Sequence, residues 1–171
     1  MKKLILILTT IVTIGISQNA LAQKQSIVDI AVSNNDFSTL VTALKAADLV
    51  SALQGDGPFT VFAPTNAAFG KIDSKTLNSL LEPKNKGTLS SILAYHVVPG
   101  KLAAADVVAA LEKGNGKASV KALSGATLTV VKKNGKIWLK DENGNYSEIT
   151  ATDVMASNGV IHVIGDVVMP K

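Results

Sequence analysis

Phe59-Thr60-Val61-Phe62-Ala63-Pro64-Thr65-Asn66-Ala67-Ala68-Phe69 is the stretch whose reading decides the fold. Phe59 to Phe62 alternate aromatic and β-forming residues, which suits a short strand. Ala63-Pro64-Thr65 ends it, because proline removes a backbone donor. The Thr65 hydroxyl is placed to cap a short helix running to Phe69. Phe59, Val61 and Phe69 supply large apolar groups for a core. One strand thus turns directly into one helix, and the elements on either side must be built around that unit.

Upstream, Gly55-Asp56-Gly57-Pro58 is a turn. Before it, residues 26–53 read as helical: Ile27, Ile30 and Ala31, then Leu40, Val41 and Leu44, recur at helical spacing. Asn35 or Asp36 is expected to cap the second stretch. At the start, Met1-Lys2-Lys3 precedes apolar runs from Leu4 to Leu8 and Ile11 to Ile16, and Ala20-Leu21-Ala22 gives a small-x-small cleavage pattern. This reads as a secretory signal peptide over residues 1–22. A membrane anchor is disfavoured, since a span needs about 20 apolar residues and Ser17, Gln18 and Asn19 interrupt the run.

Taking residues 1–22 from the 171 leaves 149, read as one domain spanning 23–171 and exported to the periplasm or the medium. That length buries a sizeable core. There is no cysteine, so neither a disulfide nor a cysteine-linked lipid anchor is available. The net charge of +4, from 17 basic and 13 acidic residues, falls to +2 without Lys2 and Lys3. Every basic residue is lysine, and the absence of arginine argues against nucleic acid as a partner.

Downstream, residues 73–81 and 87–94 read as helices separated by Pro83. Tyr95 to Val98 reads as a strand closed by Pro99-Gly100, and 103–112 as an alanine-favoured helix. After Gly114-Asn115-Gly116 the pattern becomes strands. Residues 127–131 and 136–140 flank Asn134-Gly135, a tight hairpin signal. Residues 147–154 and 159–168 read as two further strands. Helices first and strands later imply an α+β fold.

The chain offers little for catalysis. Cysteine chemistry is impossible, no GxSxG turn is present, and His96 and His162 each stand between apolar neighbours in expected strands. No histidine or carboxylate spacing suits zinc. Asp141 to Glu148 places oxygens at alternate positions, but Tyr146 and Thr152 stand where a calcium loop requires glycine and glutamate. No enzyme activity, cofactor or metal is therefore expected. Asn145-Tyr146-Ser147 is a formal glycosylation sequon.

Three motifs together resemble the fasciclin (FAS1) family. The opening stretch resembles its first signature, Asn158-Gly159-Val160-Ile161-His162-Val163-Ile164 its second, and Leu93-Ala94-Tyr95-His96-Val97-Val98-Pro99-Gly100 its Tyr-His segment. Their order and spacing agree over about residues 25 to 170. The second signature departs in one place: Gly165 precedes Asp166, where an acid normally follows the isoleucine, so a bulge or a shifted turn near Gly165 is expected.

The resemblance implies a β-wedge with helices packed against it. It also implies a non-catalytic adhesion or interaction module for an extracellular protein, matrix or cell-surface component. Carriage of an apolar small molecule is the alternative implied by some relatives; a second rival, a hydrolytic enzyme, would need a solvent-accessible histidine paired with a carboxylate. Two regions are candidates for contact: Tyr95 and His96, and the loop carrying Asp141, Asn143 and Asn145. For His96 the preferred reading is a buried residue holding neighbouring backbone by a hydrogen bond. The cleavage pattern makes one direct prediction: mass spectrometry of the exported chain should find Gln23 at its start, and retention of residues 1–22 would refute the export reading.

Overall fold

The computed structural model describes residues 25–171; the segment read as an export signal lies outside the described residues. The alternating stretch forms strand β1 (Phe59–Pro64), buried from Thr60 onward. Thr65 then accepts a hydrogen bond from the Ala68 amide and opens helix α4 (Asn66–Phe69), as the sequence predicts. On one side β1 pairs antiparallel with β2 (Val97–Pro99). On the other it pairs parallel with β7 (Gly159–Ile164), from Phe59 opposite Gly159 to Pro64 opposite Ile164. The three fasciclin-like motifs are therefore neighbours in space.

The sheet continues through β6 (Tyr146–Ala156), β5 (Lys136–Lys140), β4 (Thr127–Lys133) and β3 (Lys117–Lys121), giving the order β2-β1-β7-β6-β5-β4-β3. Every pairing beyond β7 is antiparallel. The Leu123 amide donates to the Val97 carbonyl at 2.7 Å, so the chain leaving β3 returns to β2 and nearly closes the sheet. The β4–β5 hairpin turns at Asn134-Gly135, both at positive φ, as the dipeptide predicts. The expected bulge falls on the facing strand. β7 stays regular to Ile164, while β6 carries extra residues between Ile149 and Ala151 and between Ala151 and Val154. These irregularities bend β6, whose start pairs with β5 and whose remainder pairs with β7.

Helices α1 (Ile27–Ser33), α2 (Ser38–Ala46), α3 (Val50–Leu53) and α6 (Lys86–Tyr95) bury Ile27, Phe37, Leu40 and Leu93 with Val61, Ala63 and Ile161 in one core. Helix α5 (Ser74–Leu81) packs at its margin. On the other side α7 (Ala104–Lys113) contributes Val107 and Leu111 to a second core with Phe62, Leu128, Leu139 and Ile164. Alternate residues of β1 serve opposite cores, which is why the strand lacks a polar face.

Four sequence readings are corrected. Asn35 and Asp36 do not cap α2. Asn34 accepts from the Asp36 amide at 2.9 Å, and the Thr39 amide of α2 donates to Asn66 of the first signature, also at 2.9 Å. Tyr95 and His96 are not in a strand. Leu89, Ile92, Leu93 and His96 form a buried stripe at helical spacing, so α6 runs through Tyr95 and His96 closes it in helical conformation. Strand β3 has no counterpart among the expected strands, and the last strand stops at Ile164 rather than 168.

Asn158-Gly159 is needed for its contacts and not for a positive φ, which neither residue adopts. A side chain on Gly159 would overlap the Phe59 carbonyl oxygen across the parallel pair. Asn158 accepts from the Ile27 amide at 3.0 Å and donates to the carbonyls of Leu53 at 2.7 Å and Gly55 at 3.1 Å. One amide thus ties α1, the end of α3 and the β6–β7 turn. Asn158→Ala should cost about 1–3 kcal/mol by stranding these groups, and Gly159→Ala a similar amount by forcing β1 away from β7. Urea unfolding of both variants checks this, and a parent-like midpoint for either would contradict it.

Candidate functional site

The structure brings the two candidate regions together around the C-terminal segment. Tyr95, at the end of α6, is fully buried at 0 % exposure. Its phenol donates to the Thr127 carbonyl at 3.0 Å and accepts from the Glu142 amide at 3.2 Å, bridging α6 to the Asp141–Asn145 loop. Burial pushes the phenol up to about 12, so it stays protonated and able to donate.

His96 is 2 % exposed. Its Nδ1 lies 2.8 Å from the Ile92 carbonyl, and its Nε2 accepts from the Val168 amide at 3.2 Å. These partners fix the proton on Nδ1, since only a protonated nitrogen satisfies a carbonyl. Burial pulls the ring down to about 4, against a smaller opposing effect of the Ile92 carbonyl, and keeps it neutral.

Asp141 is buried as well. One carboxylate oxygen accepts from the Asn145 amide at 2.8 Å, and the other from the Asn145 side chain at 3.1 Å and the Met169 amide at 3.3 Å. Asn143 is exposed but donates to the Met169 and Pro170 carbonyls at 2.9 and 3.2 Å. Val168 to Lys171 is thus held residue by residue, with Glu142 accepting from the Lys171 amide at 3.4 Å. Tyr95, His96 and Asp141 present no side-chain surface; Asn143 and Asn145 stand on the rim. Glu142 is a member of this cluster that sequence reasoning missed. Nothing local marks it, because its partners Tyr95, Thr127 and Lys171 all come from distant segments.

His162 on β7 is equally committed. Its Nε2 lies 2.8 Å from the Leu102 carbonyl, and its Nδ1 accepts from the Asp153 amide at 3.4 Å. Among the described residues, no group of three or more histidines and carboxylates is placed to hold a metal. The apolar void bounded by Ile27, Leu40, Val61, Leu93 and Ile161 measures about 20 Å³. Larger depressions are open at the surface. One of about 290 Å³ lies beside Val108 and Ile137, and another of about 360 Å³ lies beside Ser90, Glu142 and Lys171.

A model of the fasciclin domain matches residues 35–170. The chain belongs to the fasciclin family. Protein sll1483 of Synechocystis is 49% identical over 155 residues, covering 91% of this chain and 79% of that protein. Immunogenic protein MPB70 of Mycobacterium bovis is 35% identical over 153 residues, covering 86% and 70%. Transforming growth factor-beta-induced protein ig-h3 of Sus scrofa is 34% identical over 145 residues, covering 85% of this chain but 19% of that protein. The FAS1 domain pair of the insect cell adhesion molecule fasciclin I superposes with a TM-score of 0.73 at 19% identity, covering 83% of this chain and 50% of that one. The fold is accordingly the mixed α+β fasciclin fold. No helix of the described residues is long and apolar enough to cross a membrane.

In this fasciclin domain the Tyr-His segment is a clasp for the C-terminal segment, with a testable pH signature. His96 is held near 4 when folded but titrates near 6.5 when unfolded, so the unfolded chain binds the extra proton in between. Stability from this residue is complete above pH 6.5 and is lost as the pH falls towards 4, by roughly 3 kcal/mol in all. His96→Gln should lose that part of the pH dependence, and His96→Ala should cost about 1–3 kcal/mol at pH 7 by stranding the Val168 amide. Unfolding midpoints from pH 4 to 8 for the parent and both variants measure this.

Proposed function

We propose that this fasciclin domain is an exported, non-catalytic binding module that holds an extracellular protein, matrix or cell-surface component through exposed side chains. The observation that carries the reading is the full engagement of both histidines. Each ring has one nitrogen against a carbonyl and the other accepting a backbone amide. General base catalysis needs a histidine nitrogen within reach of a substrate proton, and these four nitrogens are occupied within the fold. Membership of the fasciclin family supports the same reading, as does the likeness in fold to a domain pair from an insect cell adhesion molecule.

Carriage of an apolar small molecule fits less well. Pockets for such ligands measure roughly 300–1,000 Å³, whereas the apolar void in the helical core is about 20 Å³ and the surface depression beside Val108 and Ile137 about 290 Å³. A single small domain offers a modest interface, and association entropy must be offset before any affinity remains. Retention is therefore expected to come from many copies displayed together. Beads carrying the domain densely should be retained on cells or matrix of the native source, while soluble monomer should wash away. Retention no better than bare beads, together with a tight one-to-one complex from an apolar-ligand screen, would replace this reading with the carrier.

A further inference from the structure

Strands β3, β4, β5 and the start of β6 share an outward face that the fasciclin motifs do not account for. Side chains alternate along each strand, and Leu128, Val130, Leu139 and Ser147 point into the protein. The registers then gather Lys117, Lys121, Lys133, Lys136 and Lys140 on the opposite side. The only acid the registers put among them is Glu148, which is already paired with Lys136 at 2.6 Å. Lys133 stands directly across from Lys136, and like charges in that position oppose strand pairing. Lys133 and Lys140 both reach over the Tyr146 ring, at 5.5 and 5.7 Å from its centre.

Lysines on an edge strand guard against strand addition, which accounts for Lys117 and Lys121 on β3. It does not account for those on β4 and β5, which are paired on both sides. The accumulated positive charge calls for an anionic partner. The groups between the lysines say which kind. Ser119, Thr127 and Thr129 present hydroxyls, and Tyr146, 44 % exposed, presents a ring on which a sugar face can rest. A membrane surface would call for protruding apolar side chains, yet Tyr146 is the only large exposed hydrophobic residue on this face. Nucleic-acid readers favour arginine, and the chain has none.

We propose that this lysine-rich sheet face binds an acidic polysaccharide, carboxylated or sulfated; the proposal rests on the binding-module reading and names its partner class. Trp138, the only tryptophan in the chain, lies on the same face between Val131 and Glu148 and reports on it. The experiment titrates the exported chain with polygalacturonate, dextran sulfate, neutral dextran and phosphatidylglycerol vesicles, following Trp138 emission at low and moderate salt. One or both acidic polysaccharides should shift the emission, their relative affinities identifying the anionic group, and neutral dextran should not. Raising the salt should weaken binding, since exposed charges are screened within about 10 Å at 0.1 M. Lys117→Gln, Lys133→Gln and Lys140→Gln combined should weaken binding at least tenfold with an unchanged melting temperature. Lys45→Gln, Lys75→Gln and Lys84→Gln, the same charge change on the helical side, should leave it within about twofold.

Equal loss in the two triple variants, no binding of either polysaccharide, or tighter binding to the vesicles would each overturn the proposal. Bead retention that survives the face substitutions would overturn the polysaccharide alone and leave the binding module standing. Beads that are not retained at all would overturn the module itself.

Discussion

The parallel pairing of β1 with β7 is the constraint on which the remaining structure depends. Parallel neighbours cannot be joined by a tight turn, so all the chain between Pro64 and Gly159 acts as the crossover that brings them together. Gly159 permits the approach, because any side chain there would meet the Phe59 carbonyl. Asn158 then fastens the entrance to α1 and the exit of α3 onto the same point. With β2 on its other edge, β1 is enclosed and separates the helical core from the sheet core. The loss of this one junction would loosen both cores at once.

Five buried polar side chains, Thr60, His96, Asp141, Ser147 and His162, are committed to backbone groups. Thr60 donates to the Gly100 carbonyl at 2.7 Å and accepts from the Leu102 amide at 2.9 Å, and Ser147 does the same for the two backbone groups of Asp166 at 2.9 Å. His96, His162 and Asp141 follow the same pattern. Each sits where the chain leaves regular structure, at the end of α6, opposite the bend of β6, and beneath the C-terminal segment. Irregular backbone must find partners once buried, and these side chains supply them. The β3–β6 face, by contrast, carries lysine charge that has no counterpart inside the protein.

Much of this was written locally. The Phe59–Phe69 stretch specified its own strand, its stop and its cap, because alternation, proline and threonine act within a few residues. Asn134-Gly135 specified its hairpin for the same reason. The lysines of β3 to β5 stand in the same sequence. Yet they could not be assigned to one face before the strand register was known, because a shift of one residue reverses every side chain.

What the sequence determined by itself was the α+β composition, most element positions and the three motifs by which the fasciclin family is recognised. Only the tertiary structure decided what those motifs do. Tyr95-His96 looked like a strand because its residues favour strands, but the helical stripe from Leu89 to His96 had a core to face and prevailed. Asn66 caps a helix 27 positions away, counting to its partner Thr39. His96, Asp141 and Asn143 became a clasp only when Val168 to Pro170 arrived beside them. Contacts between distant segments carry no local signal, so the sequence named the residues and folding assigned their partners.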